Sequence, residues 1–435
     1  MKRLTIADAL KKKKGKVLLR GWVYRARNTK DVAFVVVRDA SGILQCVIKK
    51  DNVDGESWET AIDTNIESSV EVIGELKEEP RAPNGYELNV EKIRFISKGE
   101  PFPITKDFSK EFLLDVRHLW LRSKKMTAIL KIRSTVTGAI HEFFRSRGYY
   151  EFTPPIFTPL ACEGGATLFK VDYFGKPIFL TQSWQLYAEA VIFALEKIYD
   201  IAPTFRSEKS STPRHLAEFW MAEMEAAFMD YNKCSEVAKE EVKFIVNRVL
   251  KENSEELKML DRNINKLKPA ATKKYPTITY TKALKLLKEK RNLEVKWGKD
   301  LRTIEERELM KLFDTPVVIT HYPKEIMAFY KPVDVEDKEA PGPVAKCFDM
   351  IAPEGYGELV GGSERETDIE ELKRWLKQSN EKIEQYDWYF DLRRYGSVQH
   401  SGYGLGVERL IAWICGLDTI KDAIPFPRTI DRWKP

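Results

Sequence analysis

Residues 205–219, FRSEKSSTPRHLAEF, gather Arg206, Glu208, Arg214 and His215 around a Ser/Thr/Pro turn. Guanidinium forks donate paired hydrogen bonds to phosphate oxygens, so two arginines and a histidine converging from one loop suit a polyphosphate. Apolar runs on both sides predict strand, mobile loop, strand, with Phe219 offering a flat face to a base at the hairpin's return. An Arg-x-Glu pair alone reads rather as an exposed hairpin with solvated charges. Further along, Asp349 and Glu358 supply hard oxygen ligands of the kind that hold magnesium with the help of substrate phosphates, although two acids on strands also describe a solvated face. The glycines at 402, 404 and 406 let backbone approach a ligand, and Arg409 opens a helix directly after them. Gln185, near the start of a predicted helix, either hydrogen-bonds a small substrate or stands exposed.

The elements that must position these residues can be traced along the chain. With 435 residues, 43% hydrophobic and 32% charged, the chain is long enough for two or three domains, each with its own core. A formal charge of +6 permits polyanionic partners without demanding them. The five cysteines, scattered and odd in number, predict free thiols in a reducing cytoplasm. No run approaches the roughly 18 apolar residues of a membrane span. Short apolar runs at 17–23, 32–38, 43–48, 69–74 and 87–95, with turns at 39–42 and 82–85, predict a five-stranded OB-fold barrel. Its open face would carry Arg25, Arg27, Phe34 and Gln45 toward single-stranded nucleic acid, though an aromatic on such a strand is often simply core. Pro101 and Pro103 predict an extended connector. Helical spacing over 129–144 predicts an amphipathic helix closed by Gly148, then a strand over 149–156. Residues 230–340 are poor in motifs and read as a helical decoration.

These strings together resemble the class II aminoacyl-tRNA synthetases, in the subgroup that handles aspartate, asparagine and lysine. Residues 205–219 resemble motif 2, the helix and strand with Pro154-Pro155 resemble motif 1, and 402–413 resemble motif 3. The resemblance implies an α+β protein: a five-stranded OB-fold β-barrel over 1–100, a hinge over 101–125, and a catalytic domain of antiparallel sheet flanked by helices over 126–435. It implies ATP as substrate, with Mg2+ on Asp349 and Glu358, and catalytic roles for Arg206 and Arg409. ATP contacts would fall to Arg206, Glu208, Arg214, His215, Leu216, Phe219, Glu358, Gly406 and Arg409. The amino acid would meet Glu163, Gln185, Ala188, Arg206, Glu223, Gly361 and Arg365, and the tRNA anticodon would meet Arg27, Phe34 and Gln45. Motif 1 implies a homodimer.

Three departures within the subgroup bear on the substrate. Aspartate-charging members carry a lysine where this chain has Ala188, an aspartate at Glu223, and a serine at Gly361. Loss of the ammonium leaves Arg365 to donate to a side-chain oxygen, while Glu223 accepts from an amide or binds the substrate amine. The chain is therefore similar to the archaeal-type members that join asparagine to tRNA(Asn). An aspartate-charging enzyme with relaxed tRNA choice and a non-catalytic RNA-binding paralogue are the competing readings.

Overall fold

The computed structural model describes residues 1–104, 108–162, 167–209, 212–334, 337–379 and 381–434. The chain forms two compact units, Met1–Lys110 and Glu111–Pro435.

The first unit is a closed barrel of β1 (Gly15–Asn28), β2 (Val32–Asp39), β3 (Gly42–Lys49), β4 (Ser69–Glu78) and β5 (Tyr86–Ser97), in the order β1-β2-β3-β5-β4. The five expected strands are all present, longer at their ends. Alternation sets the two faces: Ala33, Val35 and Val37 are buried inside, while Phe34, Val36 and Arg38 face outward, half-buried. Two helices, Ile6–Lys12 and Gly55–Ile62, were not expected from periodicity. Both are too short for a clear apolar stripe, but each has a capping residue, Thr5 and Asp54, whose side chain accepts a backbone N–H of the first turn.

The second unit is built on an eight-stranded sheet. Its strands in chain order are β6 (Tyr150–Glu151), then β10 (Lys197–Phe205), β11 (Glu218–Ala227), β12 (Thr277–Thr279), β13 (Val317–Thr320), β16 (Cys347–Ala352), β17 (Gly357–Glu364) and β18 (His400–Gly406). Between them, β7 (Phe157–Thr158), β8 (Lys170–Tyr173) and β9 (Lys176–Leu180) make a small three-stranded sheet, and β14 (Val333–Asp334) pairs with β15 (Val344–Ala345). The large sheet runs β12-β13-β16-β17-β18-β11-β10-β6, antiparallel except at the two outer pairs. One of its faces is covered by the helices Lys124–Arg145 and Tyr231–Glu252, which share its apolar core. The first buries Ile129, Ile132, Val136, Ile140, Phe143 and Phe144 at the predicted helical spacing, and Ser123 caps its start. The strand predicted over 149–156 shrinks to Tyr150–Glu151, because Pro154 and Pro155 have no N–H to pair.

Two boundaries differ from expectation. Residues 111–125 are not an extended connector: they hold the short helices Lys110–Asp115 and Arg117–Trp120, and Arg117 is buried. Its guanidinium donates to the carbonyls of Lys421, Ile424 and Pro425 and pairs with Asp422 at 3.0 Å, which ties this segment into the second unit. Residues 230–340 are likewise more than decoration, since they contribute a core helix and the sheet strands β12 and β13, with their own apolar cluster around Tyr280, Leu287 and Ile319. Among the described residues no helix is long and apolar enough to cross a membrane.

Glu241, on the Tyr231–Glu252 helix, is fully buried and accepts a hydrogen bond from the Tyr403 hydroxyl at 2.7 Å. Burial pushes its carboxyl up to about 8, with Tyr403 and Arg147 only partly opposing it. The folded chain thus holds a proton here that the unfolded chain releases near pH 4.5. That contribution is complete below pH 4.5 and declines by at most about 1.4 kcal/mol per pH unit until the pH passes 8. Glu241→Gln, which stays neutral, should flatten this slope. Unfolding midpoints of wild type and variant, compared between pH 5 and 9, should converge at acid pH and favour the variant at alkaline pH.

Candidate active site

A cleft of about 410 Å3 opens over the middle of the large sheet. The register of β10 with β11, from Lys197↔Ala226 to Phe205↔Glu218, brings Arg206 beside Phe219 at the mouth of the hairpin. The Arg206 guanidinium lies 5.5 Å from the Phe219 ring centroid, and its backbone N–H donates to the Ala217 carbonyl. Across the loop His215 Nε2 stands 3.4 Å from a Glu208 oxygen, and Leu216 is buried beneath. Ser210 and Ser211 lie outside the described residues. Arg214 reaches the opposite wall, where it donates to the Gly355 carbonyl and pairs with Glu306 at 3.8 Å. From the third wall, Arg409 in the first turn of the helix Val407–Cys415 donates to the Glu358 carbonyl, with Gly406 as the cap that leads into that turn. All nine residues expected around ATP line this one cleft.

Asp349 on β16 and Glu358 on β17 face the cleft from adjacent antiparallel strands. A bulge after Met350 pairs Ile351 with Glu358, and Asp349 lies opposite Gly361. A Cβ at Gly361 would sit 2.9 Å from Glu358 Oε1 and 3.6 Å from Asp349 Oδ1, so the missing side chain leaves the space between the carboxylates open. Burial, and then the neighbouring Glu358 charge, push the Asp349 carboxyl well above the usual range. Burial and the same charge also raise Asp300, and raise Glu306 to about 7. This excess of negative charge fits a divalent cation. No group of three or more His, Cys, Asp or Glu among the described residues is arranged to hold a metal, so water and phosphate oxygens would have to complete its shell.

Asp300, Glu306, Tyr322 and Lys331 all line the cleft from the segment read as decoration. A usable signal was present: the run Val317–Thr320, VVIT, between Pro316 and Pro323 has the form of a buried strand, and it carries Tyr322 to the Asp349 carboxylate.

The other end of the cleft holds Gln185, Glu223 and Arg365, as expected. Glu223 accepts a hydrogen bond from Ser183 Oγ at 2.8 Å. Arg365 is buried, and its fork is engaged: Nε and Nη2 donate to the two oxygens of Glu225 at 3.0 and 2.8 Å, and Nη1 donates to Ser363. Glu225 went unnoticed in the sequence, yet it stands two residues from Glu223 on one strand and therefore on the same face. Its place depends on Gly402, where a Cβ would fall 2.0 Å from Glu225 Oε2 and 2.4 Å from the Met224 carbonyl. Ala188 departs from expectation: it does not line the cleft but is buried one turn after Gln185, packed with Trp184, Ile192, Ile198 and Ala202. Glu163 lies outside the described residues.

On the barrel, Arg27 pairs with Phe34 across β1 and β2, its guanidinium 5.0 Å from the ring centroid, and Gln45 lies opposite Val36 on the neighbouring strand. These three side chains share the outer face rather than the core.

Residues 109–430 match the family of tRNA synthetases class II (D, K and N), and residues 17–96 match the OB-fold nucleic acid binding domain. The asparagine–tRNA ligase of Thermoplasma acidophilum is 49% identical over 420 residues, which span 97% of this chain and 96% of that protein. The asparagine–tRNA ligase of Thermococcus kodakarensis is 46% identical over 430 residues, 99% of this chain and 98% of that one. Among solved structures, asparaginyl-tRNA synthetase from Pyrococcus horikoshii complexed with asparaginyl-adenylate superposes with a TM-score of 0.95 at 43% identity, covering 100% of both chains.

Proposed function

The chain belongs to the class II tRNA synthetases, among the asparagine–tRNA ligases, and from that premise we propose that it activates asparagine with ATP and transfers it to tRNA(Asn), releasing AMP and pyrophosphate. The observation that carries this reading is one continuous cleft with Arg206, Arg214 and Arg409 at one end and a charge-balanced Arg365–Glu225 pair beside Glu223 at the other.

In the first step the asparagine carboxylate attacks the α-phosphorus. That nucleophile is already an anion, so placement and charge stabilisation carry the catalysis and no general base is needed. Arg206 holds the α-phosphate, and Phe219 and Arg409 sandwich the adenine, with Glu208 at its edge. Arg214 and His215 receive the outer phosphates, Arg214 by exchanging Glu306 for phosphate oxygens. Asp349 and Glu358 would hold magnesium, which would supply positive charge to those phosphates. Arg365 donates to the asparagine side-chain oxygen, Glu223 accepts from its amide or amine, and Gln185 binds alongside.

Dimerisation through the Lys124–Arg145 helix and β6 is consistent with the exposed Tyr150 on that edge strand, which among the described residues pairs with β10 alone. Five buried free cysteines are consistent with work in a reducing cytoplasm.

ATP–pyrophosphate exchange with each of the twenty amino acids tests the reading: exchange should depend on asparagine, and exchange driven by another amino acid would displace it. The barrel is tested separately. Phe34→Ala should weaken tRNA charging by about 1–3 kcal/mol, the contribution of one aromatic–base stack, and leave pyrophosphate exchange unchanged. A parallel fall in both rates would make Phe34 a structural residue.

A further inference from the structure

One buried carboxylate next to the cleft has no part in the mechanism above. Glu189, one turn after Gln185 in the helix Gln185–Leu195, is fully buried. Its oxygens accept from Gln185 Nε2 at 3.0 Å, from the Tyr389 hydroxyl at 2.7 and 2.9 Å, from Arg393 Nη2 at 2.6 Å, and contact His400 Nε2 at 3.0 Å. Burial alone would raise this carboxyl, but the Arg393 charge and the His400 hydrogen bond outweigh it and hold it below its ordinary range. An ionised carboxylate only accepts. The side-chain amide of Gln185 must then turn its NH2 group inward, which leaves its carbonyl oxygen for the cleft that Gln185 lines.

The same carboxylate steadies a second point. Arg393, paired with Glu189, also donates to the Glu366 carbonyl at 3.0 and 2.9 Å through Nε and Nη2. Glu366 directly follows Arg365, so the network reaches the backbone that carries the second substrate-facing group.

We propose that Glu189 is a positioning residue for the amino-acid end of the cleft: it fixes the Gln185 amide with its oxygen outward, as an acceptor for the ammonium group of the bound amino acid. This rests on the assignment of that end to the amino acid. A wall residue that can flip its amide presents donor or acceptor at random, and an ammonium group needs the acceptor.

The test is pyrophosphate exchange by the full chain with asparagine and ATP varied in turn. Glu189→Gln, able to donate as well as accept, should raise KM for asparagine about tenfold or more, the scale of a lost hydrogen bond to a charged group, while kcat and KM for ATP stay within about twofold. Gln185→Ala should raise the same KM, and adding Glu189→Gln to it should raise it no further. Should Glu189→Gln fail to fold because Arg393 is left unpaired, the double change Glu189→Gln with Arg393→Met removes both charges, and the same split is expected. Additive penalties, a normal asparagine KM in a folded variant, or an equal rise in the KM for ATP would overturn the proposal. Wild-type protein that binds no asparagine would instead remove the assignment on which it rests.

Discussion

Arg206→Ala should lower asparagine-dependent pyrophosphate exchange by more than about a hundredfold, because a charge-assisted contact to the transferring phosphate that strengthens in the transition state is lost, at a cost of about 3 kcal/mol or more. The structure sharpens the expectation. Arg206 leans over Phe219 and, among the described residues, pairs with no carboxylate, so its removal strands no buried partner among them. The unfolding transition should therefore stay close to that of the wild type, and the activity loss should appear in kcat. Near-normal exchange would end the assignment of the hairpin to the α-phosphate.

The second large effect is selectivity. Wild-type protein should activate asparagine over aspartate by more than about a hundredfold, since a site built for one polar group rejects its charged analogue strongly. The reason lies in charge balance: Arg365 already has its counter-charge in Glu225, so an incoming carboxylate gains no unneutralised cation and meets Glu223 as well. Ala188→Lys should lower activation of both amino acids and leave the gap largely in place. The new side chain enters a packed cluster with Trp184 and Ile192, and overpacking of that kind costs about 1–3 kcal/mol, while Glu223 continues to oppose aspartate. The measurement is the ratio of kcat/KM for the two amino acids at fixed ATP. Equal activation by the wild type would support an aspartate enzyme with relaxed tRNA choice.

What could be read from the sequence followed from locality. The barrel strands and the Lys124–Arg145 helix announce themselves because each carries its own period, two or about 3.6 residues, within a few turns of chain. Arg206, Phe219 and Arg409 were found because their neighbours in sequence are also their neighbours in the cleft. Glu225 and Glu189 were missed for the opposite reason. Their partners Arg365, Arg393 and His400 arrive from distant strands and helices, and a buried acid looks the same in sequence as a solvated one. Asp300 and Glu306 were hidden in a segment so rich in lysine that its acids resembled surface residues. Ala188 shows a converse error: a position inferred by comparison of residue types was assigned to the wall, whereas its methyl group packs behind it.

Gly402 gives the selectivity a further property. Any side chain there would collide with Glu225 and with the Met224 carbonyl, and so would evict the carboxylate that balances Arg365. A single mutation at this glycine thus cannot tune the pocket gradually toward a new amino acid; it breaks the pair outright and leaves a buried cation unsatisfied. A path from one substrate to another through this glycine has no viable one-step intermediate, and a lineage that changed its amino acid would have to do so at positions facing the cleft, leaving Gly402 untouched.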